Sequence, residues 1–149
     1  MDTIVEMFAD DILELAEDLK EIKILDEQGA VMLSSNNYKS FFEASWIHKY
    51  NGKFYFSYSI QDSNFIFYAI GDSPYGSFTY KGRIFNPFAG RAVYHSIYEV
   101  DNEWYLFCHN STFLNPIQDL RNINLTKIDY MKNGKIVTID SYGIRRINE

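Results

Sequence analysis

The dipeptide Asn51-Gly52, set between Ala44–Tyr50 and Lys53–Ser59, constrains this chain more than any other feature. Both flanking runs are dense in aromatic side chains, which suit a pleated, half-buried surface. A two-residue type I′ turn needs φ > 0 at both central positions, and Asn-Gly adopts that at the least cost. The stretch therefore predicts a β-hairpin, with Glu43 at the head of its first strand. A carboxylate in that aromatic setting is costly to bury unless it is paired or protonated. Two readings follow: a general acid, or an acid salt-bridged at an ordinary sheet edge.

From Glu43 onward the pattern predicts strands at about 43–50, 53–60, 64–70, 77–85, 93–100, 103–110, 121–130 and 135–140. Turn-forming residues separate them, among them Asp72-Ser73-Pro74, Asp101-Asn102 and Asn133-Gly134. A shift of fifty residues lays Ser45–Ser59 on His95–His109, matching Ile47 with Ile97 and Tyr55 with Tyr105. A period of that length built from four short strands is the mark of propeller blades. The N-terminus is less regular. Ile4, Met7, Phe8, Ile12, Leu15, Leu19 and Ile22 recur at helical spacing, which predicts an amphipathic helix. The fold class expected is all-β: a partial β-propeller of about two and a half to three four-stranded blades, with that helix at its start. Residues 1–40 read as a partial blade and connector, 41–90 as the blade bearing Glu43, and 91–149 as the last blade.

Several motifs together resemble glycoside hydrolase family 43, a group of five-bladed β-propeller enzymes. The pair Phe42-Glu43 is followed by Trp46, His48-Lys49, the Asn51-Gly52 turn and Ser57-Tyr58-Ser59, similar to the family's general-acid segment. Ser73-Pro74-Tyr75-Gly76-Ser77-Phe78 resembles the turn after that blade, and His95-Ser96-Ile97 with Glu103-Trp104-Tyr105 resembles the last blade. The resemblance implies an inverting hydrolase of arabinose- or xylose-containing glycans, of plant oligosaccharide type. In such enzymes a protonated Glu donates to the leaving oxygen and an Asp on the opposite face activates water, while a further Asp tunes the acid. By resemblance Glu43 is the catalytic acid, and Arg121, His95, Trp46 and Tyr94 are substrate-binding. The base has no counterpart here: Asp2, Asp10, Asp11 and Asp18 do not stand in the family's aspartate context. The resemblance also implies a channel near His95 where calcium can sit, although Tyr94 stands where a second histidine is common. Otherwise no cofactor is expected. It covers roughly residues 10–140 and corresponds to the C-terminal part of the family fold. Within that span it implies strands from about residue 11 and again over Glu21–Leu25, leaving a short helix expected before residue 10.

Charge and cysteine content narrow the remaining possibilities. A net charge of −6 with no basic cluster argues against nucleic acid and anionic membranes as partners. No apolar run is long enough to span a bilayer as a helix, the acidic N-terminus does not read as a secretory signal, and Cys108 is the single cysteine. These features predict a cytoplasmic chain with a buried thiol. Blades numbering fewer than four do not close a ring, so a homodimer, or association with the missing blades, is expected to cover the open faces. Three functions stay open: the acid-bearing part of a glycosidase, a non-catalytic carbohydrate-binding remnant, and a structural module that persists by oligomerisation.

Overall fold

A computed structural model describes residues 3–5, 18–33, 39, 41, 43–60, 65–85, 94–110, 122–139 and 145–146. Among them the chain is strand and turn, without a helix. The expected hairpin forms as β4 (Glu43–Tyr50) and β5 (Lys53–Ser59), with φ of 47° at Asn51 and 79° at Gly52. β6 (Ile66–Gly71) and β7 (Phe78–Phe85) complete an antiparallel four-stranded meander, one propeller blade with β4 at its free edge. Fifty residues on, β8 (His95–Val100) and β9 (Glu103–Asn110) repeat the hairpin. Ile97 pairs with Leu106 as Ile47 pairs with Phe56, and Asp101 and Asn102 take φ of 51° and 61° at the turn. β10 (Asn122–Ile128) adds the third strand of this last blade.

The two central strands of this blade, β5 and β6, are buried on both faces, which their nearly unbroken apolar runs require. On one face Phe56, Tyr58, Phe67, Ala69, Phe78 and Tyr80 pack with Ile22 and Ile24. On the other, Tyr55, Ile66 and Tyr68 meet Ile97, Leu106, Cys108 and Ile128 of the last blade. This second layer is the seam between the blades. The hydroxyl of Tyr55 donates to the carbonyl of Gly134, and that of Tyr68 accepts from the amide of Ile136, so the seam's aromatic rings also fasten the chain that follows β10. Cys108 is buried there, and loss of water pushes its thiol up to about 11, as the sequence leads one to expect of a packing residue.

Two expectations are corrected. Residues 3–5, placed in a helix by their apolar spacing, form β1 (Thr3–Val5), antiparallel to β2 (Lys20–Ile22). Thr3, Ile4 and Val5 are all β-branched, and cross-strand pairing outweighs the helical period. The strand expected from about residue 11 lies outside the described residues up to 17. The second correction concerns 135–140, which does not add a fourth strand to the last blade. Instead β11 (Thr138–Ile139) runs parallel to β7, pairing Ile139 with Phe85, and β12 (Arg145–Arg146) pairs with β11. β3 (Ile24–Leu25) pairs with the other end of β7. The blade assigned to 41–90 thus takes in short segments from both ends of the chain. Residue burial explains the return: Ile139 is covered in the seam, and Thr138 donates its hydroxyl to the carbonyl of Arg83 at 2.9 Å.

The far face of the last blade is open. Alternation puts Tyr98, Phe107, Ile123 and Leu125 on it, and Ile123 is 86% and Tyr98 64% exposed. Exposed apolar patches on a sheet face mark places where something else packs.

Candidate active site

The geometry around Glu43 begins with a one-residue β-bulge. Glu43 pairs with Ser59 and Trp46 with Ser57, so two residues of β4, Ala44 and Ser45, face one of β5. Ala44 takes up the extra length at φ 56°, a left-handed conformation that costs a residue with a Cβ about 1–2 kcal/mol. Strict alternation would put Glu43 and Trp46 on opposite faces. The bulge puts both on the face shared with Ser57 and Ser59, the one turned toward the last blade. It therefore re-aims the carboxylate at the head of the strand.

Ser57 and Ser59 are fully buried, and both hydroxyls are used. Ser59 Oγ donates to the carbonyl of Glu43 at 2.9 Å, and Ser57 Oγ to that of Trp46 at 3.4 Å. Across the seam, His95 Nε2 lies 2.7 Å from Ser57 Oγ. Trp46 Nε1 donates to the carbonyl of Ile97 at 2.8 Å. The buried serines thus brace the backbone on both sides of the bulge, and Ser57 links it to His95 at the start of β8. Neither of the described ion pairs, Lys53–Asp72 and Lys127–Glu103, involves Glu43. The salt-bridged-edge reading consequently finds no partner for it among the described residues.

The sequence-predicted residues separate into three groups. Glu43, Trp46 and His95 come together along the seam, all half-buried. Tyr94 does not join them: it is 52% exposed and its ring stacks on His109 at 5.8 Å. His109 alternates with Cys108, the partner of His95, and so belongs to the open face. Arg121 lies outside the described residues. As for calcium, which takes six to eight oxygen ligands, no group of three His, Cys, Asp or Glu side chains stands together among the described residues.

Sequence reasoning missed His48. It is buried two residues beyond Trp46, with Nε2 2.7 Å from the hydroxyl of Tyr130. Its ring stacks on Tyr55 at 5.0 Å and packs against Trp104 at 5.1 Å. Burial, with a smaller contribution from His95, lowers its pKa to about 3, so the ring is neutral at ordinary pH. The signal was present in the alternation: between Glu43 at one end and Lys53 at the other, His48, Ser57 and Ser59 are the polar residues on the Trp46 face of the hairpin.

No family model matches the sequence. Individual relatives do. A xylosidase/arabinosidase of Bacteroides ovatus is 42% identical over 136 residues, which is 91% of this chain and 42% of that protein. Xylosidase/arabinosidase 43A of Humicola insolens is 46% identical over 135 residues, 90% of this chain and 41% of that one. Among solved structures, a family-43 β-xylosidase/α-arabinofuranosidase from a compost microbial metagenome superposes with a TM-score of 0.86 at 46% identity, over 92% of this chain and 42% of its own. A family-43 enzyme from Xanthomonas citri gives 0.89 at 38% identity, over 94% and 42%. The chain spans about two-fifths of the length of the curated relatives it matches. With two adjoining blades that superpose on these structures over more than nine-tenths of its length, the chain belongs to glycoside hydrolase family 43.

Proposed function

We propose that this chain supplies the acid-bearing wall of an inverting glycosidase site for xylose- or arabinose-containing glycans. The observation that carries the reading is the bulge that turns Glu43 onto the Trp46–His95 face at the head of the free inner strand. Glu43, protonated, donates to the departing glycosidic oxygen. The base is a carboxylate from the part of the propeller outside these 149 residues, held roughly 6.5–9.5 Å away so that water fits between. By resemblance His95, Trp46 and Arg121 contact the sugar, whereas Tyr94, turned to the open face, does not. The open apolar face of the last blade supports association, with the rest of a propeller or with a second copy. The chain's share of its relatives' length favours a second reading, a carbohydrate-binding wall without turnover of its own.

Stereochemistry tests the first reading. When the chain is joined to the remainder of a family-43 propeller and given an aryl β-xyloside, proton NMR is expected to detect α-xylose before mutarotation. Release of β-xylose first would mean a retaining mechanism and would contradict the inverting site proposed here.

A further inference from the structure

The seam holds a cavity at the other end of β4 from Glu43. It encloses about 660 Å³ between β4 and β8, within the range typical of small-molecule sites. Its walls include Trp46, Lys49, Glu99, Trp104 and the Asp101–Asn102 turn, but neither Glu43 nor His95. Six residues of extended strand separate Glu43 from Lys49, a span of about 20 Å.

Three features of the lining point to one ligand chemistry. Two indole rings border the cavity, and an aromatic face packs against the C–H face of a sugar ring. One ammonium, Lys49, stands against two carboxylates, Glu99 and Asp101, with the amide of Asn102 beside them. That set donates to and accepts from hydroxyl groups while its charge excess disfavours phosphate and other anions. Finally, His48 also lines the cavity and is only 7% exposed, yet its Nδ1 has no hydrogen-bond partner among the described residues. A buried ring nitrogen left unbonded is costly, and a polar ligand would satisfy it. With the ring neutral, that nitrogen suits a hydroxyl better than an anion.

We propose that this cavity is a non-catalytic binding site for an uncharged sugar, of the size of a pentose or a short pentosyl oligosaccharide. It adjoins the acid end of the seam through Trp46 but does not depend on Glu43.

The chain has two tryptophans, and both line the cavity, so intrinsic fluorescence reads its occupancy directly. Titration of the chain with xylotriose is expected to give a saturable change. Glu99→Gln combined with Lys49→Ala should weaken it at least tenfold, while Glu43→Gln should leave it within twofold. Glu99 and Lys49 are exposed, so a matching thermal melt distinguishes lost binding from lost folding. No saturable change would overturn the proposal. So would a response abolished by Glu43→Gln and indifferent to the double variant, which would place the sugar at the acid end. A stronger response to spermine than to xylotriose would replace the sugar with a cation.

Discussion

Glu43→Gln is expected to slow hydrolysis of an alkyl xyloside by roughly 10²–10⁴-fold in the complete propeller, the usual contribution of a positioned general acid. With a dinitrophenyl xyloside the loss should shrink to less than about tenfold, because such a leaving group departs without needing a proton. This contrast separates acid catalysis from a structural role, which would slow both substrates alike. Glutamine keeps the shape of the side chain, and the contact from Ser59 goes to the backbone carbonyl of residue 43, which the substitution leaves in place. The bulge at Ala44 should therefore survive. Kinetics with the two leaving groups provide the check, and equal losses on both would contradict the assignment.

Acidification from pH 7 to pH 4.5 is expected to cost the wild-type chain about 3 kcal/mol more unfolding free energy than a His48→Phe variant. The sign follows from the two protonation states. His48 has a pKa of about 3 in the folded chain, against an ordinary 6.5 once unfolded. Between those values the unfolded chain binds a proton that the native chain does not. The stability attached to the neutral ring is whole above pH 6.5 and drains away as pH falls toward 3. Each pH unit inside the window is worth about 1.4 kcal/mol, and about two units of it are crossed. Phenylalanine preserves the stack on Tyr55 and Trp104 and sacrifices the bond to Tyr130, a loss that does not vary across this range. Urea unfolding of both proteins at the two pH values measures the difference. Parallel pH dependences would show that His48 is protonated within the native fold.

The inner hairpins were legible because their chemistry is local. Asn51-Gly52 and Asp101-Asn102 carry the positive φ values their turns demand, and the alternation on either side fixes the register. Resemblance then supplied Glu43 with a role that composition left open. What escaped the sequence was non-local. Nothing near Thr138 announces that it will run beside Phe78–Phe85, because the partner lies more than fifty residues away and the strand is only two residues long. Nor does alanine at position 44 signal a left-handed bulge, for which glycine is the ordinary choice. Without that bulge, simple alternation sends Glu43 to the wrong face of its strand. The N-terminal error had another source: a helical period in apolar residues coexisted with a β-branched triplet, and only pairing with Lys20–Ile22 decided between them.

The account rests on an acid held at an inter-blade seam whose opposing carboxylate comes from elsewhere in the propeller. Its most direct test is turnover of an aryl β-xyloside by the 149-residue chain alone and again with the remaining blades of a family-43 propeller supplied. The account predicts a rate indistinguishable from buffer in the first case and sustained hydrolysis in the second. Full hydrolysis by the chain alone, or none once the ring is complete, would contradict it.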